Sequence, residues 1–246
     1  MRKAALVTIA VGLACLSLQG IAVQAQEAGG FGGVQSFGFS SSFSNDSSHI
    51  LIGESEDRRV WTLGAEYTHL LRMGPRFRLD YEGSIDPLYE ETDPTDIGTS
   101  FVFQGQTFTT PQAPVRVVNV AHGPVGSIST GVGASSPIYV LFGKEDTYAA
   151  SIAPIGARVT AFPRRRIRPI FGLDLGFVVS ARDIPVDQSA QFNYMFSFGP
   201  GVELFADSKT SWRFEYIYRH VSNAGAGAQN PGVDQGVVRV TLSVHR

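Results

Sequence analysis

The chain has 246 residues with 20 Lys or Arg and 22 Asp or Glu, a formal net charge of −2, and that balance argues against a nucleic-acid partner. Charged residues are 17%, against about 25% in an ordinary soluble domain. Gly (27 residues) and aromatics (11%) are frequent.

Met1-Arg2-Lys3 opens the chain, an apolar run follows from Ala4 to Leu18, and Val23-Gln24-Ala25 comes next. A basic start, a short apolar core and small residues before a cut describe a secretory signal peptide. Residues 1–25 are therefore expected to be removed, leaving Gln26 first. The run is too short for a spanning helix, which needs about 20 residues. The single cysteine, Cys15, lies inside it. A lipoprotein reading of Cys15 meets Gly12 where a larger apolar residue is usual. Removal of Cys15 leaves the mature chain without thiols or disulfides. No other stretch is apolar for 18 residues. An exported chain of this composition is a secreted β-sandwich or an outer-membrane barrel.

In chain order, the Gly/Ser/Phe segment at 31–44 reads as a first strand. Residues 59–72 alternate, with Trp61, Leu63, Ala65 and Tyr67 against Thr62, Gly64, Glu66 and Thr68. Residues 76–86 set Phe77, Leu79, Tyr81 and Ile85 against Arg78, Asp80, Glu82 and Ser84. Weaker alternation at 147–162 places Ile155 and Val159 opposite Arg158. The pattern returns at 166–180, where Phe171, Leu173, Leu175 and Phe177 oppose Arg168 and Asp174, and at 191–206, where Phe192, Tyr194, Phe196 and Phe198 oppose Asn193, Ser197 and Glu203. Strands at 212–222 and 236–245 complete eight.

Short connections at 73–75, 162–165 and 207–210 alternate with long ones at 45–58, 92–146, 181–190 and 223–233. Short turns on one rim and long loops on the other predict an all-β fold: an eight-stranded antiparallel transmembrane β-barrel over residues 26–246 of the bacterial outer membrane. The segment 92–146 is too long for a simple loop. Its strand-like pieces predict an extra hairpin, giving ten strands, or a lid over the mouth. The inward set, Glu66, Arg78, Asp80, Asp174, Glu203, Arg213, Glu215, Arg219 and Arg239, carries both signs, so its charges can pair.

Strand 212–222 has one face of Trp212, Phe214, Tyr216, Tyr218, His220 and Ser222 and another of Arg213, Glu215, Ile217, Arg219 and Val221. An apolar outward face is natural in lipid, and here it ends in a histidine and a serine side by side. Asp234 falls on the outward face of the next strand, at the same rim. A serine needs a base to take its proton, and the base needs a carboxylate to orient it.

His220-Val-Ser222-Asn223-Ala224, then Asn230, Gly232 and Asp234, resembles the motif of the lipid A 3-O-deacylases (PagL-type acyloxyacyl hydrolases), eight-stranded outer-membrane barrels. The resemblance covers about 25 residues closely and the barrel pattern loosely. It implies hydrolysis of the ester-linked 3-hydroxyacyl chain of lipid A in lipopolysaccharide, without cofactor or metal. Ser222 would be the nucleophile, His220 the base and Asp234 the orienting acid, with Asn223 and the Gly225 N–H at the oxyanion. The family's acid is typically Glu, one methylene longer than Asp234. Barrel proteins usually end in an aromatic residue, whereas this chain ends Ser243-Val244-His245-Arg246.

Several plainer readings stand beside this one. Tyr218 and His220 near a rim fit an aromatic girdle. Arg164, Arg165, Arg166 and Arg168 suggest a phosphate site, or a solvated turn beside anionic headgroups. Glu90, Glu91, Asp93 and Asp96 match no named Ca²⁺ spacing, and the histidines show no zinc spacing. The competing functional class is a non-enzymatic small barrel acting in adhesion or envelope structure through its long loops. A soluble secreted lipase is a third, poorer fit. The oligomeric state is not legible.

Overall fold

The computed structural model describes residues 31–129 and 135–246. The expected signal peptide, with Cys15, lies outside the described residues. The strands are β1 (Gln35–Ser44), β2 (Arg59–Met73), β3 (Phe77–Phe103), β4 (Gln106–Arg116), β5 (Gly126–Ser129), β6 (Ser135–Ala161), β7 (Ile167–Ile184), β8 (Ala190–Phe205), β9 (Thr210–Ser222) and β10 (Val233–His245). The order β3-β2-β1-β10-β9-β8-β7-β6 closes through an antiparallel β3–β6 pair into a ring of eight. Closure removes the sheet edges that hydrocarbon does not tolerate.

β3 and β6 are 27 residues each, although a tilted strand crosses a bilayer in about 9–11. Beyond the ring they continue as a ribbon. There β4 takes the place of β2 beside β3, and β5 lies along β6. The segment 92–146 is therefore largely strand. The extra hairpin exists and the strands among the described residues number ten, but the ring stays at eight. Gln104 and Gly105, both at positive φ (51° and 74°), link the paired Phe103 and Gln106. Two such residues match the twist of a tight hairpin. Phe101 and Phe108, directly opposite, stack at 5.4 Å between centroids. β7 also extends further than alternation implied, which shrinks the expected 181–190 loop to 185–189.

Side chains alternate across the wall. Phe77, Phe171, Phe214, Tyr216 and Val238 are 46–61% exposed on the outside. None of the nine charged residues assigned inward exceeds 6%. This inverted arrangement suits a wall facing lipid.

Charges fill the lumen. Arg213 on β9 meets Glu66 on β2, Glu82 on β3 at 3.2 Å and its own neighbour Glu215 at 3.0 Å. Arg158 lies 3.7 Å from Glu82, and Arg239 lies 3.6 Å from Asp174. Of the arginine cluster, Arg168 turns inward, 3.7 Å from Glu203 and over the Phe205 ring. Arg164, Arg165 and Arg166 stay exposed on the short β6–β7 turn. On the neighbouring β8–β9 turn, the N–H groups of Lys209 and Thr210 donate to Asp207 Oδ1 at 2.7 and 2.8 Å and hold its carboxyl below the ordinary carboxylate range.

At the other end the mouth is plugged. The buried Arg58 guanidinium pairs with Asp93 at 3.0 Å and donates to the carbonyls of Val117 (2.6 Å) and Val118 (3.0 Å). The acidic stretch around Glu91 and Asp93 is thereby accounted for, because those two carboxylates turn inward to Arg58.

Arg213→Ala should leave Glu66, Glu82 and Glu215 buried without their shared cation, a loss of about 3–5 kcal/mol. Heat-modified mobility on gels should show unfolding at a clearly lower temperature. An unchanged transition would mean that water, not Arg213, satisfies these carboxylates.

Candidate active site

β9 ends at the long-loop rim with His220-Val221-Ser222, and β10 starts there with Val233-Asp234. The register places Asp234 directly opposite His220. Cross-strand neighbours on one face lie close enough for a short side chain to bridge them. His220 Nδ1 lies 2.6 Å from Asp234 Oδ1. Direct pairing of the two strands brings the short Asp234 side chain to the imidazole.

Three further donors converge on the same carboxylate. The Tyr218 hydroxyl donates to Oδ1 at 2.7 Å. The backbone N–H groups of Leu51 and Ile52 donate to Oδ2 at 2.7 and 2.9 Å. Both oxygens are engaged, and hydrogen bonds to a carboxylate are among the stronger kind. Tyr218 is therefore more than a girdle residue.

The imidazole is held on its remaining sides. The Phe196 ring on β8 lies 5.2 Å from it. Gly232 sits at φ +62°, and a Cβ there would come within 3.0 Å of His220 Cε1. Any side chain at 232 would press on the ring as well as strain the backbone. His220 is 6% exposed and Asp234 0%, although both belong to the outward face. Phe196 and the β1–β2 loop supply the cover.

Ser222 is half-buried on the same face two residues after His220, opposite Tyr194 of β8. No hydrogen bond joins its hydroxyl to His220 in this structure. The fold has assembled the His–Asp pair and placed the serine beside it without connecting them.

The two residues expected at the oxyanion bond to each other. The Gly225 N–H donates to Asn223 Oδ1 at 2.9 Å. Asn223 Nδ2 donates to the Gln229 carbonyl at 2.8 Å, and the Asn223 N–H donates to Asn230 Oδ1 at 3.1 Å. In this conformation Asn223 staples the 223–232 loop.

Sequence reasoning missed Leu51, Ile52 and the hydrogen bond of Tyr218. Tyr218 shares the outward face with His220, so alternation carried its signal. The two amides carry none, because a backbone N–H belongs to almost every residue.

A histidine–aspartate pair beside a serine lies on the outer, apolar wall of a closed antiparallel barrel, and that fold defines an outer-membrane-type β-barrel. A family model described as Lipid A 3-O-deacylase (PagL) matches residues 118–243, just over half of the 246-residue chain. The chain belongs to this family and is a lipid A 3-O-deacylase-type protein of the bacterial outer membrane. Among solved structures it is similar to the outer membrane enzyme PagL (12% identity, TM-score 0.48, covering 85% of this chain and 99% of that one). It is also similar to Neisserial surface protein A (12%, 0.40, 86% and 97%) and to the outer membrane protein OprG from Pseudomonas aeruginosa (9%, 0.41, 89% and 100%). With TM-scores below 0.5, none of these likenesses adds to what the strand pairing shows. A search of curated proteins finds no match.

Asp234→Asn should keep the barrel intact but offer His220 an amide in place of a carboxylate. Turnover of a lipid ester should fall, by up to the roughly 10⁴-fold seen when the triad aspartate of a serine protease becomes Asn. Asp234→Glu should not restore it fully. A Cβ at Gly53 would already lie 2.7 Å from Asp234 Oδ1, so a longer acid has to displace the β1–β2 loop. Assay of both purified variants in detergent micelles checks this, and wild-type turnover in Asp234→Asn would remove Asp234 from the site.

Proposed function

We propose that this protein is a serine esterase that hydrolyses the ester-linked 3-hydroxyacyl chain of lipid A, with Ser222 as nucleophile, His220 as general base and Asp234 as orienting acid. The observation that carries the proposal is the 2.6 Å His220–Asp234 contact on the lipid-facing wall, with Ser222 next along the same face.

Because Nδ1 is bound to Asp234, Nε2 is the ring nitrogen left for proton transfer. The reaction requires Ser222 Oγ to meet Nε2, a contact that commonly tightens only with substrate bound. Oγ attacks the ester carbonyl while Nε2 takes its proton. The tetrahedral intermediate then collapses, the C–O bond to the sugar breaks, and His220 returns the proton to the departing hydroxyl. Water attacks the acyl-serine by the same relay and releases the 3-hydroxy fatty acid. Asp234 stabilises the imidazolium in both halves and stays ionised. At the oxyanion, the Gly225 N–H and the Asn223 amide exchange their present loop partners for the developing charge.

The surroundings fit a long acyl chain. Beside Ser222 the outer wall presents Phe177, Phe192 and Tyr194, with ring centroids 5.2–5.7 Å apart. No cofactor or metal enters any step of this scheme.

Ser222→Ala and His220→Ala should each abolish release of the hydroxy fatty acid while the barrel still folds. Mass spectra of lipid A from cells expressing wild type should lack one hydroxyacyl chain that cells expressing either variant retain. Identical spectra would sink the esterase and favour a non-enzymatic barrel acting through its loops.

A further inference from the structure

The orienting acid is gripped from outside the barrel by a loop whose other side is apolar. Between β1 and β2 the chain makes a compact excursion from Asp46 to Asp57. The Asp57 N–H closes its neck on the Ser47 carbonyl at 3.1 Å. Both arms are fastened to the start of β10, Ser47 by a bridge to Gln235 and Ser55 by a bridge to Val233. The Ser48 N–H donates to the Asp234 carbonyl at 3.2 Å, and the Glu54 N–H to the Pro231 carbonyl at 2.7 Å. Across the tip, His49 Nδ1 lies 2.6 Å from the Gly53 carbonyl.

Inside this frame sit the Leu51 and Ile52 N–H groups that hold Asp234 Oδ2. The side chains at the tip point away from the protein. Ile50, Leu51 and Ile52 are 43%, 57% and 57% exposed. Their solvent-facing neighbours in the loop are polar: Ser48 and His49 before them, Glu54 and the half-buried Glu56 and Asp57 after Gly53. Exposed apolar residues rimmed by polar ones mark a contact surface. The loop's position names the partner. It lies over Asp234, whose outward face of β10 also carries Val238; Val238 pairs with Tyr216 of β9, and both are more than half exposed in the apolar belt.

We propose that Ile50–Ile52 is a lipid-docking tip. It is immersed in the acyl layer of the outer leaflet, and that immersion holds the Leu51 and Ile52 amides on Asp234. Leu51 and Ile52 are positioning residues that act through their backbone. Full orientation of His220 is thus coupled to the presence of lipid at the rim. The docking half stands on the loop alone, whereas the coupling half rests on the catalytic reading of Ser222, His220 and Asp234.

Docking is tested with a nitroxide on Leu51→Cys, with Cys15→Ser as background, in phosphatidylethanolamine–phosphatidylglycerol vesicles. The same label on Glu56→Cys serves as the aqueous reference. The label at 51 should collide with oxygen and be shielded from a water-soluble nickel chelate, with the reverse at 56. Equal access to nickel at both positions overturns docking. Dipolar broadening between labels at 51 also overturns it, because the tip then meets a second copy of the chain.

Coupling is tested with Ile50→Ser/Leu51→Ser/Ile52→Ser, which keeps both amides. With lipid A in the same vesicles, kcat should fall about tenfold with KM little changed. A passive loop changes neither kcat nor its split from KM. Unchanged kcat, with the 51 label in lipid, overturns the coupling. Absence of wild-type turnover overturns the catalytic reading and the coupling with it, while the label still decides the docking.

Discussion

A backbone N–H or C=O in hydrocarbon has no water to fall back on, and the rest of this structure follows from that constraint. Every strand needs two partners, which only a closed sheet supplies, and here the β3–β6 pair provides the closure. Eight strands leave a narrow interior that side chains must fill. Alternation then sends apolar residues to the lipid and leaves the lumen to Arg, Glu and Asp, which pair across it. A cross-lumen contact such as Arg213 with Glu66 ties β9 to β2 without any backbone bond between them.

The same alternation separates chemistry from support within a few residues. Arg219 points into the lumen and His220 out toward lipid, as do Gln235 and Asp234 on the next strand. His220 and Asp234 stand on paired strands, whose geometry the whole ring maintains. Strand pairing sets the distance between the two side chains, so the short aspartate reaches the imidazole.

Loops complete what the strands begin. The 223–232 loop brings Gly232 against the imidazole and is itself stapled by Asn223. The β1–β2 loop reaches Asp234 from the other side. Both are docked to the barrel through backbone hydrogen bonds, so the site is ordered at a rim where irregular chain would otherwise be mobile. The Ser222 hydroxyl, on the same face, makes no hydrogen bond to His220.

Local pattern determined much of this protein. The Trp212–Ser222 face was legible because side chains in a strand alternate with period two, a signal each segment carries alone. The same holds for the eight ring strands and for the inward charges. Spacing from His220 to Asp234 was legible because the motif is contiguous in the chain. Tertiary structure decided the rest. The β3 and β6 ribbon persists beyond the lipid because each strand has neighbours there, not because residues 92–146 alternate cleanly. The Gly225 N–H meets Asn223 instead of facing outward because the loop closes on itself. The amides that hold Asp234 come from 182 and 183 residues earlier in the chain. A backbone donor has no residue signature, so only the folded chain could show which ones arrive there.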